Sequence, residues 1–201
     1  MMRMYTRRWG LLVCLLLASC SSDAGYVFST PTVAPTAMSL TAPPRVPSSP
    51  SALPAGPFSG YLAPDFMLTA LDGQAVQLRA YRGRPVWINL WATWCVPCRT
   101  EMPAMQTLYS RYQSQGLIVL GVNAQEDPAR VRSFVSDGHF TWQFLLDPDS
   151  LVRRKYVFTG IPSHVFVDRA GVIQQITIGE LDAATMAEYL GRIMADPGLG
   201  G

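Results

Sequence analysis

The run Val86-Trp87-Ile88-Asn89-Leu90-Trp91 is apolar at every position but one, and two cysteines, Cys95 and Cys98, follow it at once. An almost continuous apolar run of this length reads as a central strand buried on both faces. From Cys98 to about Gln115, Met102, Met105, Leu108, Tyr109 and Tyr112 recur every three or four residues, and Gly116 closes the segment. That pattern predicts an amphipathic helix with a C-terminal stop. Leu117 to Val122 then reads as a second buried strand. A strand, a helix and a strand in this order make a βαβ unit and commit the chain to the α/β class.

The flanking segments complete the sheet. Phe66 to Thr69 and Ala75 to Leu78 are short strand-like pieces around Leu71-Asp72-Gly73-Gln74, whose Asp-Gly predicts a hairpin. Asp127-Pro128 supplies an N-cap and a first-turn proline for a helix carrying Val131, Phe134 and Val135. Trp142 to Leu146 predicts a short strand, and Ser150 to Tyr156 a helical turn or two. Ser163 to Val167 and Val172 to Ile178 predict strands joined by a connection short enough only for a hairpin. Asp182 opens a last helix bearing Met186, Leu190 and Ile193. Parallel pairing first and antiparallel pairing later make a mixed central sheet with helices on both faces and an N-terminal β-hairpin.

Of the 201 residues, these elements use only the stretch from about 58 to 196. The start has another design. Arg3, Arg7 and Arg8 precede an apolar run from Trp9 to Ala18, which is a signal-peptide layout over residues 1–19. The run is shorter than the roughly 20 residues a spanning helix needs. It ends Leu17-Ala18-Ser19-Cys20 and resembles the lipobox of bacterial lipoproteins. The resemblance implies cleavage before Cys20 and acylation of that residue, which would hold the chain on a lipid membrane. Eight of the 16 prolines fall between Pro31 and Pro57, among Ser, Thr and Ala. Residues 20–57 therefore read as a lipidated cysteine followed by an extended linker, and residues 197–201 as a flexible tail.

Charge narrows the partners. Without the leader, 13 basic side chains face 14 acidic ones, Lys155 is the only lysine, and the arginines are scattered. Nucleic-acid binders concentrate basic charge on one face, so nucleic acid is set aside.

The chemistry gathers at Trp94-Cys95-Val96-Pro97-Cys98. Cys95 lies where a helix begins, beside unpaired N–H groups and the positive end of the helix dipole, both of which favour thiolate. Pro97 suits the first turn, where a missing N–H costs nothing. Cys14 leaves with the leader and Cys20 is assigned to lipid, so Cys95 and Cys98 are the free thiols of the mature chain. A bridge closing so small a loop constrains little of the unfolded chain, which favours exchange chemistry over a stabilising role. Zinc asks for four ligands, and only His139 and His164 could join the pair. Copper accepts fewer soft ligands, which leaves a copper-binding chaperone using Cys95 and Cys98, with or without His164, as the alternative. No cofactor is expected. Neither histidine has a serine or acid arranged as in a hydrolase triad, and no peroxidase-type Pro-x3-Thr-x2-Cys surrounds Cys95.

Several segments together resemble the membrane-anchored thioredoxin-like oxidoreductases of the TlpA/ResA type. They are Asn89-Leu90-Trp91-Ala92-Thr93-Trp94-Cys95-Val96-Pro97-Cys98-Arg99, Ala63-Pro64-Asp65-Phe66, Glu101-Met102-Pro103, and Gly160-Ile161-Pro162 with Val165-Phe166-Val167-Asp168. The resemblance covers Leu62 to about Met194 and implies a thioredoxin fold. It implies that Cys95 attacks a substrate disulfide, that Cys98 resolves the mixed disulfide, and that the two end as a redox-active disulfide. Pro162 corresponds to the cis-proline of these folds, although the residues alone equally fit a trans-Pro turn. With Ile161, Trp94 and Pro97 it forms the expected substrate-contact set.

Asn89 sits where thioredoxin itself has a buried acid. The carboxylate is instead expected from Glu101, three residues after Cys98 on the same helix face, as acceptor of the Cys98 proton. Val96-Pro97 carries no charge to stabilise the thiolate, which argues for a reductant. A reductant outside the cytoplasm needs an integral-membrane thiol donor. The family's substrates include disulfides of apocytochrome c and of copper-site assembly proteins.

Overall fold

The structure is a computed structural model and describes residues 53–195. The expected leader, Cys20, the linker as far as residue 52 and the tail 197–201 lie outside the described residues. Among the described residues no helix is long and apolar enough to cross a membrane.

Seven strands form one sheet. They are β1 (Met67–Ala70), β2 (Ala75–Gln77), β3 (Val86–Trp91), β4 (Ile118–Ala124), β5 (Gln143–Asp147), β6 (Ser163–Val167) and β7 (Ile173–Ile178). Their order is β2-β1-β5-β4-β3-β6-β7. Both β3/β4 and β4/β5 are parallel, whereas β1/β2, β1/β5, β3/β6 and β6/β7 are antiparallel. The helices are α1 (Val96–Tyr112), α2 (Pro128–Asp137), α3 (Leu151–Lys155) and α4 (Ala183–Met194). The mixed sheet and the N-terminal hairpin match the order read from the sequence. The strongest apolar run, β3, lies between β4 and β6 and is buried along its whole length.

Strand alternation sorts the core into two layers. Val86, Ile88 and Leu90 pack with Leu120, Val122, Leu145, Val165 and Val167 against α3 and the N-terminal segment. Trp87 and Trp91 point the other way, with Val119, Phe144 and Phe166, toward α1, α2 and α4. Asn89 has the same parity as the two tryptophans and is paired directly across from His164. The strand that anchors the core therefore also delivers polar side chains under the start of α1.

Helix ends follow from their caps. Asp127 Oδ1 accepts from the N–H groups of Ala129 and Arg130 at the start of α2, and Asp182 Oδ1 from Thr185 N–H at 2.7 Å. Pro103 lies within α1 without ending the helix. Two further details concern where elements begin. Ser150 does not cap α3 with its side chain; Asp147 does, at 2.7 and 3.0 Å from the N–H groups of Leu151 and Val152. The linker also gives way to the domain a few residues before Pro57. Pro54 O accepts from Leu62 N–H, and Gly56 N–H donates to Leu62 O, both at 3.0 Å, because a proline still offers its carbonyl.

Candidate active site

The apolar run of β3 ends at Trp91, and the chain turns through Ala92, Thr93 and Trp94 into α1. Cys95 is the N-cap of that helix. Its backbone is extended, its carbonyl accepts from Arg99 N–H at 3.1 Å, and its Sγ accepts from Cys98 N–H at 3.3 Å. A cap sulfur in this position receives one of the N–H groups that the first helical turn leaves unpaired. Cys95 and Cys98 are joined as a disulfide. Cys98 is fully buried and Cys95 is 4% exposed, so access to the two differs little in this form. Trp94 and Val96 on either side of Cys95 are 63% and 68% exposed. A groove lined by Val96, Arg99, Thr100, Phe134 and Phe140 runs beside them.

Pro162 follows a cis Ile161-Pro162 bond at the start of β6. It is buried, and its carbonyl accepts from Gly179 N–H at 2.8 Å. Ile161 is half-buried and packs against the layer that contains both cysteines. Pro97, also half-buried, occupies the first turn of α1. Trp94 and Pro97 thus adjoin the cysteines in the chain, and the start of β6 after Pro162 pairs with the end of β3, where Ser163 lies opposite Leu90.

Glu101 points inward, and its side chain has no exposure. Oε1 accepts from Asn89 Nδ2 at 3.2 Å, Oε2 accepts from Leu181 N–H at 3.2 Å, and His164 Nε2 is 3.2 Å from Oε2. The strand asparagine and the helix glutamate, read separately in the sequence, are hydrogen-bond partners. His164 is a packed strand residue whose Nδ1 accepts from Trp87 Nε1 at 3.3 Å. Both of its nitrogens face other protein groups, so it does not stand as a third ligand beside Cys95 and Cys98. His139 is exposed in the turn after α2. Among the described residues no group of three or more His, Cys, Asp or Glu is arranged to hold a metal ion.

One residue of the site had no prominence in the sequence. Glu126, in the loop after β4, accepts from the N–H and hydroxyl of Thr93 at 2.7 and 2.5 Å and from Asn123 Nδ2 at 2.7 Å. Thr93 is two residues from Cys95, so this carboxylate holds the approach to the cap. Its local context, Asn123-Ala124-Gln125-Glu126, reads only as the polar exit of a strand.

Comparison with known proteins agrees with this arrangement. The model of the AhpC/TSA family matches residues 59–176. The thiol-disulfide oxidoreductase ResA of Geobacillus thermodenitrificans is 35% identical over 131 residues, 65% of this chain and 75% of that protein. The thioredoxin-like protein YneN of Bacillus subtilis is 37% identical over 134 residues, 65% of this chain and 78% of that protein. A crystal structure described as a thiol:disulfide interchange protein DsbE from Chlorobium tepidum superposes with a TM-score of 0.64 at 26% identity, covering 69% of this chain and 99% of that one. With a capped Cys95-Cys98 disulfide on a thioredoxin-like sheet, the chain belongs to the AhpC/TSA family as a thiol-disulfide oxidoreductase of the TlpA/ResA type.

Proposed function

We propose that this chain reduces protein disulfides outside the cytoplasm while tethered to a membrane through acylated Cys20. The observation that carries the chemistry is the Cys95 sulfur at the N-cap of α1, accepting from Cys98 N–H. A helix N-terminus stabilises negative charge on such a sulfur, and exchange requires the thiolate. In the reduced protein Cys95 thiolate attacks one sulfur of the substrate disulfide, and the other sulfur leaves as thiolate. Cys98 then gives its proton to Glu101 and attacks the Cys95 sulfur. The Cys95-substrate bond breaks, and its electron pair leaves on the second substrate sulfur. Two electrons have passed to the substrate, and the protein holds the Cys95-Cys98 disulfide.

Trp94, Pro97, Ile161 and Pro162 receive the substrate chain in this reading, with an extended segment lying along the start of β6. The uncharged Val96-Pro97 pair supports the reducing direction. An integral-membrane thiol donor returns the electrons, and the tether keeps Cys95 near it. Disulfides of apocytochrome c or of copper-site assembly proteins are the substrates proposed.

The test is to express full-length Cys98→Ser in cells and identify what it captures. A mixed disulfide through Cys95 to an exported cytochrome or copper-site protein is expected, and Cys95→Ser captures nothing. Absence of any Cys95-linked adduct overturns the reading. So does stoichiometric copper binding by the reduced protein without disulfide turnover, which is the behaviour of a copper chaperone.

A further inference from the structure

The buried groups behind Cys98 contain one donor that the proposed chemistry leaves without a task. His164 is fully buried, with its ring beside the stacked rings of Trp87 and Phe166 at centroid distances of 6.0 and 6.3 Å. The polar atoms placed around the ring are Trp87 Nε1, Asn89 Nδ2 and Glu101 Oε2. An indole N–H can only donate, so Nδ1 is an acceptor at 3.3 Å from Trp87. The Asn89 amide nitrogen is also turned toward Nδ1, at 3.4 Å. In neutral imidazole one nitrogen carries the proton, and Nδ1 is occupied as an acceptor, so the proton sits on Nε2.

That N–H faces Glu101 Oε2 at 3.2 Å but is off the line of a full hydrogen bond, and no other partner completes it. Buried donors are almost always satisfied, and catalytic hydrogen bonds are often long or misaligned until the reaction tightens them. Among the described residues, Glu101 is the one acidic or basic side chain placed against His164. Strand β3 presents Trp87 and Asn89, β6 presents Phe166, and the segment before α4 presents Leu181 N–H to the same carboxylate.

We propose that His164 is a positioning residue for the resolving step: Trp87 locks its tautomer, and its Nε2–H aims and holds the Glu101 carboxylate that takes the Cys98 proton. The proposal rests on the reading of Cys98 and Glu101 given above. In that step the Cys98 S–H bond breaks, its proton passes to Glu101, the Cys98 sulfur bonds to Cys95, and the substrate sulfur leaves with the electron pair. His164 serves in this step only as an N–H donor, because Nδ1 already faces two N–H groups. It keeps Oε2 engaged and leaves Oε1, which Asn89 shares, to receive the proton. The unpartnered Oδ1 of the same Asn89 amide is the acceptor that a protonated Glu101 can use after rotation of the amide.

Reduced full-length protein is mixed with 5,5′-dithiobis(2-nitrobenzoate), whose coloured thiolate is released twice. Cys95 attack releases the first, and Cys98 resolution the second. His164→Phe keeps the ring volume and deletes both nitrogens. It is expected to leave the first release within about twofold, to slow the second about tenfold, and to alter the pH profile of the second release alone. His164→Gln places an amide N–H near the position of Nε2 and recovers the second release to within about threefold. In a Glu101→Gln background, His164→Phe adds less than about twofold, because the two residues act as one unit.

An unchanged second release in His164→Phe overturns the proposal, as does equal slowing with and without Glu101. If His164→Phe does not fold, Trp87→Phe frees the tautomer and must slow the second release alone; an unchanged rate there overturns the proposal too. A wild-type protein that releases only the first thiolate refutes the resolving role of Cys98 itself, a separate failure with a separate signature.

Discussion

On the side of the sheet covered by α3 and the N-terminal segment, Val86, Ile88, Leu90, Leu120, Val122, Leu145, Val165 and Val167 form an apolar layer. Its fully buried phenol, Tyr156, sits at the margin and donates to Pro64 O at 2.9 Å. On the side covered by α1, α2 and α4, the same strands present Trp87, Asn89, Trp91, His164 and Phe166, and α1 drives Glu101 down among them. The first layer can be read as transfer of apolar surface from water, with each lost methylene costing stability. The second accepts the expense of burying a carboxylate, because that carboxylate sits three residues from Cys98. The contrast teaches that one strand serves both demands by parity: even-numbered positions of β3 hold the fold, and odd-numbered positions support the site.

The sharpest way to break the contrast is to damage each layer and read both stability and chemistry. Leu145→Ala, at a fully buried position of the apolar layer, is expected to cost about 3 kcal/mol in urea unfolding. The thiolate-release rates of the folded fraction should stay unchanged. Glu101→Gln comes next and does the reverse: it slows the second release about tenfold while stability changes by less than about 1.5 kcal/mol, because an amide still fills the space. If Leu145→Ala slows exchange, or Glu101→Gln alters stability alone, the division between layers fails.

Smaller effects refine it. Burial pushes the Tyr156 phenol well above its ordinary value, and the nearby Asp65 carboxylate adds to the shift. A raised phenol keeps its proton in the folded chain, so this contribution is intact below the ordinary tyrosine value of about 10 and is lost as pH rises above it. Tyr156→Phe should flatten that alkaline fall in stability and cost about 1 kcal/mol near neutrality through the lost bond to Pro64. The smallest change concerns Asp182, whose carboxyl is held below its ordinary value by hydrogen bonds from Thr185. Its stabilisation is present above the ordinary carboxylate range and lost as pH falls through the lowered value. Asp182→Asn should remove that acid-side dependence from thermal unfolding curves and leave exchange untouched.

Much of this was legible in the residues. The apolar run of β3, the helical period of α1 and the stop at Gly116 each state a local geometry, and the Asp127 and Asp182 caps lie where an acid precedes a helical pattern. Cys95 and Cys98 could be placed at the helix tip for the same reason. Glu101 could be placed on the Cys98 face by its three-residue spacing, but its burial could not, because that depends on Leu181 and His164 arriving from elsewhere. The alternation of β6 puts His164 on one side of the sheet without saying which residue of β3 lies opposite. Only the register shows Asn89 there. Glu126 was hidden for a related reason: its partner Thr93 is 33 residues away, and no local pattern joins the two.

That last contact has a consequence for how a partner meets the protein. With three donors converging on Glu126, the bend ahead of Cys95 is already set before anything arrives. An incoming polypeptide finds a rigid jaw, and the disorder lost on encounter belongs to the visitor. A bend fixed in advance lowers the ordering cost of whatever docks at Cys95.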